Sequence, residues 1–140
     1  MRLLGLDLGS ERIGVAVSDE LGWTAQGLCV LRRQGGKRDL DKIARLVEEQ
    51  KAEAVVLGLP LNMDGTEGPQ AQRTRRFAAA LEAHLGLEVR LWDERLTTWE
   101  AEGILKEAGV RGPRRRQVVD KLAATLILKS YMEANKENTA

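Results

Sequence analysis

The sequence predicts an α/β domain on a mixed five-strand sheet: an antiparallel three-strand meander plus two parallel strands, with helices on both faces. Three observations support this. The amino-terminal segment holds three short apolar runs separated by turns of hairpin length. Further along, segments with helical spacing alternate with β-branched, nearly all-apolar strands of the kind buried on both faces. At 140 residues and 43% apolar content, the chain suits one domain with a substantial core.

Taken in order, residues 2–8, 12–18 and about 24–31 read as strands, joined by GSE and DELG. Leu40, Ile43, Ala44 and Val47 fall at helical spacing, and EAVVLGLP supplies the central strand. A second helix is predicted from about Gln70 to Leu85, with Thr74, Phe77, Ala78, Leu81 and Leu85 on one face and Gly86 ending it. The strand LEVRLW follows. Thr97 and Glu100 form a capping box for a helix carrying Ala101, Ile104, Leu105 and Ala108, stopped by Gly109. VRGPRRRQ reads as a basic loop. The last helix, about 117–133, turns Val119, Leu122, Ala123, Leu126, Ile127 and Tyr131 inward. Residues 1–134 are thus expected to form a single domain, and 135–140 a frayed tail.

Composition narrows the function. Lys plus Arg (22) nearly balances Asp plus Glu (21), so a nucleic-acid site must come from local clustering of charge. The single cysteine, Cys29, excludes an intrachain disulfide, and the apolar run ahead of Asp7 is too short for a signal peptide. AVVLGLPL is far below the ~20 residues that span a bilayer. A soluble, cytoplasmic protein is expected.

Asp7 poses the chemical question, because it sits in an otherwise apolar strand between Gly5 and Gly9. An ionised carboxylate taken out of water needs compensation. Other acids stand at related places: Asp93 and Glu94 at the end of the fifth strand, and Asp120 in what reads as the first turn of the last helix. In open α/β sheets ligands gather at the carboxyl ends of strands. Carboxylates without His or Cys beside them suit hard cations such as Mg2+ or Mn2+, and two such ions can activate water and stabilise the leaving oxygen of a phosphodiester. Parity places Asp93 with Val89 and Leu91, and Glu94 with Arg90 and Trp92, without saying which face holds metal.

DLGSERIGVAVSD, VVLGLPLNMDGTEG, DERLTTWEAE and VDKLAATLILKSYM resemble, in order and over nearly the whole chain, the YqgF family, also called RuvX. That family is described both as Holliday junction resolvase-like and as a nuclease maturing the 5′ end of pre-16S rRNA. The resemblance implies an RNase H-like fold and metal-dependent phosphodiester hydrolysis, with Asp7, Glu94 and Asp120 as catalytic and metal-binding acids. It favours Glu94 over Asp93 as the ligand and pre-rRNA over branched DNA as the substrate.

Other positions carry paired readings. Arg111, Arg114, Arg115 and Arg116 precede Asp120 and could hold phosphates or form a solvated loop. Arg73, Arg75 and Arg76 could extend that track, or simply form the solvent face of the second helix. Asn62 could contact a phosphate or shape its turn, and Asp93 could orient Arg95 or cap a turn. Gly9 and Asp19 read first as turn residues, with roles beside the site as the alternative. His84 reads as solvated or capping. Trp99 could belong to a homodimer interface or to the core of a monomer. Two other classes stay open: a nucleotide phosphohydrolase, because a DxG hairpin also opens the phosphate loop of actin-like ATPases, and a non-catalytic nucleic-acid-binding module.

Overall fold

The computed structural model describes residues 1–95 and 113–136. Strands β1 (Leu3–Leu8), β2 (Arg12–Ser18) and β3 (Ala25–Arg32) form the meander. They are followed by α1 (Gly36–Gln50), β4 (Ala54–Leu59), α2 (Pro69–Leu85), β5 (Val89–Asp93) and α3 (Pro113–Lys136). The sheet order is β3-β2-β1-β4-β5; β1 runs antiparallel to β2 and parallel to β4, and β5 runs parallel to β4. This is the mixed sheet that the sequence predicts, with β1 in the middle.

Period-two alternation divides the side chains between two cores. Leu4, Leu6, Ile13, Val15, Val55 and Leu57 face Ile43 and Val47 of α1 and Ala78 and Leu81 of α2. On the other face Leu3, Ala16, Ala54 and Val56 meet Ala124, Ile127, Leu128 and Tyr131 of α3. Entry into α1 is fixed by Asp39, 1% exposed, which accepts hydrogen bonds from the backbone N–H groups of Gln34 and Gly35 and from Arg33.

Helix α3 differs from expectation in two ways. It starts at Pro113, so Arg114, Arg115 and Arg116 belong to its first turn and not to a loop. Gly-Pro reads as a breaker in the sequence, but a proline at the first helical position loses no hydrogen bond and has the right φ. Asp120 therefore lies seven residues past the helix start, about two turns in, beyond the reach of first-turn dipole stabilisation. The buried stripe also shifts by one position, toward Ala124 and Leu128. The shift follows from a backbone-to-backbone approach: a Cβ on Gly14 would lie 2.0 Å from the Asp120 carbonyl oxygen, and one on Gly5 would lie 2.8 Å from Leu128 Cβ. The capping box at Thr97, the helix through Ala108, Trp99 and Arg111 lie outside the described residues, as do residues 137–140.

Because the Gly14 contact is with backbone, a side chain there cannot be accommodated by a rotamer change. Gly14→Ala is expected to destabilise the fold by about 3 kcal/mol, the upper end of overpacking effects, read as a lower urea midpoint.

Candidate active site

Asp7 is the fifth residue of β1 and pairs in register with Gly14, so its side chain rises on the face covered by α3. Glu94 reaches the same face from β5. Its backbone N–H donates to the Leu59 carbonyl at 3.3 Å, which continues the parallel ladder one residue past the strand and keeps Glu94 in phase with Arg90 and Trp92. Trp92 in turn packs edge-on against Tyr131 with centroids 5.4 Å apart and donates from Nε1 to Ser130 at 3.0 Å. These contacts tie β5 to α3. Room for the Glu94 carboxyl comes from Gly58 on β4, where an added Cβ would stand 2.4 Å from Glu94 Oε2.

The two carboxyl groups meet in a hydrogen bond. Burial pushes Asp7 up to about 6; the hydrogen bond from Glu94 pulls it back, and the charge of Asp120 pushes it further up. Glu94 rises to about 8, first through burial, then through the charge and hydrogen bond of Asp7. Both carboxyls are therefore held above their ordinary range, and the pair shares a proton through this hydrogen bond.

Asp120 is near enough for its charge to act on Asp7, but its Oδ2 accepts a hydrogen bond from Arg12 Nε at 2.7 Å. Arg12, at the start of β2, is a site residue that the sequence reading missed. Its two-residue spacing from Gly14 puts it on the same face, yet that helps only once the pairing of Gly14 with Asp7 is known. Among the described residues no three His, Cys, Asp or Glu side chains converge into a preformed metal cage. The donor chemistry nevertheless fits a hard divalent cation: an all-oxygen pair, held back from full ionisation first by burial and then by neighbouring negative charge, with a third carboxylate beside it.

The remaining candidates fall into place around this pair. Asp93 projects from the opposite face and accepts from the Arg95 backbone N–H and guanidinium, so geometry brings Glu94, and not Asp93, to Asp7. The Arg95 hydrogen bond is also what holds the Asp93 carboxyl below its ordinary range. Arg95 Nη1 donates to the Met63 carbonyl at 3.4 Å, linking β5 to the turn that follows β4. In that turn Asn62 donates to Thr66 Oγ1 at 3.0 Å and accepts from the Gly65 N–H at 2.8 Å, so it shapes its own loop. Gly9 makes the tight β1–β2 turn, its N–H donating to the Arg12 carbonyl at 2.8 Å. Asp19 accepts from the Trp23 N–H at 2.7 Å in the β2–β3 turn, at the far end of β1 from Asp7. His84 pairs with Asp41 of α1 at 2.9 Å, away from the carboxylates.

A five-strand mixed sheet in this order, with acidic side chains meeting at the carboxyl edge of its central strand, defines the RNase H-like nuclease class. The chain belongs to the RuvX family: the family model described as "Holliday junction resolvase" matches residues 1–134. A relative from Syntrophomonas wolfei, provisionally named a pre-16S rRNA nuclease, is 50% identical over 133 residues, 95% of this chain and 94% of that one. RuvC of Thermus thermophilus aligns with a TM-score of 0.57 and 16% identity over 95% of this chain and 97% of its own. Fowlpox virus resolvase, solved with Holliday junction DNA, gives 0.60 and 12% over 96% and 98%. At such identities the two structures speak for the fold. No helix among the described residues is long and apolar enough to cross a membrane.

Both site carboxyls bind protons more tightly in the folded chain than at their ordinary values of 3.8 and 4.5. Their contribution to stability is fully present below about pH 4 and is lost as pH rises through about 6 and then about 8. In EDTA the urea midpoint is therefore expected to fall between pH 5 and pH 9, and Asp7→Asn should flatten that fall.

Proposed function

We propose that this protein is a cytoplasmic, divalent-metal-dependent endonuclease whose substrate is the 5′ region of pre-16S rRNA. The observation that supports it most strongly is the Asp7–Glu94 pair, two carboxyls pressed together on one face of the sheet at the carboxyl edge of β1. The choice of RNA follows the name carried by relatives at about half identity. Asp7 and Glu94 would hold Mg2+ or Mn2+, as two ions, with Asp120 joining them. The chemistry such ions supply is activation of water and stabilisation of the leaving oxygen in an in-line displacement.

The chain's own contribution is protonic and positional. To act as a ligand Glu94 releases the proton it shares with Asp7, so ligand capacity grows as pH rises toward about 8. For Asp120 to turn toward Asp7 it must give up Arg12, which then keeps only its 3.6 Å pairing with the exposed Glu11 and can offer Nε to a phosphate oxygen. Asp93 keeps Arg95 at the rim, over the turn containing Asn62. Arg114, Arg115 and Arg116 in the first turn of α3, together with Arg111, are proposed to hold the strand by its backbone. Cleavage leaves a 5′-phosphate and a 3′-hydroxyl, and a monomer suffices.

A second reading, resolution of four-way DNA, is favoured by the description of the family model. It requires a two-fold dimer presenting two sites to opposed strands.

The two are separated by incubating a pre-16S 5′ RNA fragment and a synthetic four-way DNA junction together with Mg2+ or Mn2+. Loss of the RNA alone is expected; paired symmetric cuts in the junction would select the second reading. Asp7→Asn and Glu94→Gln should reduce cleavage to background with unchanged circular dichroism, whereas Asp93→Asn should stay within a few-fold of wild type. Cleavage that survives excess EDTA would rule out the metal mechanism.

A further inference from the structure

The carboxyl edge of β1 has two sides, and Asp7, Glu94 and Asp120 gather on only one of them. On the other side an open cavity of about 520 Å³ lies between the β1–β2 turn and α2, lined by Gly9, Ser10, Arg33, Arg73, Arg76 and Phe77 among others. Its three arginines are not equivalent. Arg33 is already committed: Nε donates to Asp39 at 3.3 Å, Nη1 donates to the Gly9 carbonyl at 3.1 Å, and the guanidinium lies 5.6 Å from the centre of the Phe77 ring. It is a wall that pins the turn, with its charge matched by Asp39.

Arg73 and Arg76 stand three residues apart on one face of α2, exposed and without an ion pair among the described residues. Arg75, which does not line the cavity, is paired with Glu67. Of the three arginines on α2, the two without an ion pair among the described residues are thus the two that border the concave surface. Two planar guanidinium forks with no carboxylate partner suit phosphate oxygens better than any neutral ligand. The cavity also adjoins the chemistry, since Gly9 is only two residues from Asp7, about 7 Å along an extended strand.

We propose that this cavity is a second phosphate site, in which Arg73 and Arg76 hold the sugar-phosphate backbone of the substrate on the side of β1 away from the scissile bond. The assignment rests on the nuclease reading for its ligand, an RNA strand. Leu8, Gly9 and Ser10 then form a narrow ridge that the strand crosses between the two sites.

The test uses the full chain, an R73A/R76A double variant and R75A as the control for lost charge on the same helix. Affinity for a labelled single-stranded pre-16S 5′ RNA is measured by anisotropy in EDTA, where the RNA stays intact, over a range of salt concentrations. The double variant is expected to bind at least tenfold more weakly at low salt. Its slope of log affinity against log salt should fall by about 1.4, two phosphate contacts at ~0.7 each. R75A should match wild type in both. With metal added, the double variant should raise KM about tenfold and leave kcat within about twofold. Unchanged affinity and slope would overturn the proposal, as would inorganic phosphate binding that depends on Arg73 and Arg76 while RNA binding does not. RNA binding that depends on both arginines, with no cleavage by wild type, would sink the nuclease reading and leave this site standing.

Discussion

The seating of α3 directly on the sheet is the constraint from which the site follows. Over Gly14 and Gly5 the helix backbone approaches so closely that not even a methyl group fits between the layers. Interiors packed to that density do not slide, so the height and rotation of α3 are set by those two strand positions. Asp120 is consequently carried to the carboxyl edge by its own main chain, while Ala124, Ile127 and Leu128 fill the core beneath it. The same seating puts Tyr131 and Ser130 against Trp92, which fixes β5 and with it Glu94.

What this architecture assembles is electrostatically unfavourable by design of the packing alone. Asp7 and Glu94 share one buried neighbourhood and relieve it with a single proton, and Asp120 adds repulsion that Arg12 partly offsets. Neither arrangement is what a core optimised for stability would choose, because an apolar pair in place of Asp7 and Glu94 would carry no desolvation cost. Carboxyls perturbed in this way by burial and a charged neighbour cluster at functional sites. The proton shared by Asp7 and Glu94 and the guanidinium of Arg12 offset part of the negative charge gathered there.

The two sides of β1 also differ in a way that suits a strand-binding surface. One side gathers acids under α3; the other presents arginines from α2 and from the end of β3. Between them runs a turn whose backbone is held by Arg33 on one side and by its own hydrogen bond to Arg12 on the other. The turn next to Asp7 is therefore tied down on both sides, although turns are ordinarily the mobile parts of a sheet.

Much of this was legible in the chain because it rests on local periodicity. Alternation over 3–8 and 12–18, helical spacing through Val47 and Leu81, and an apolar run at 54–59 suffice to set the strand order of the meander and the alternation that follows, and an acid stranded in an apolar strand announces a site at Asp7. Local pattern could not say that Pro113 opens a helix, because the same Gly-Pro pair serves equally as a stop. Nor could it choose between Asp93 and Glu94, since strand parity separates two faces without labelling them; only the cover of α3 does that. Arg12 meets Asp120 across 108 residues of chain, and Arg73 and Arg76 differ from Arg75 only in what α2 turns toward the β1–β2 hairpin. The sequence by itself determined which elements form and which side chains carry charge, because those follow from spacing along a few residues. Tertiary structure decided which charges meet, because that depends on how distant segments pack.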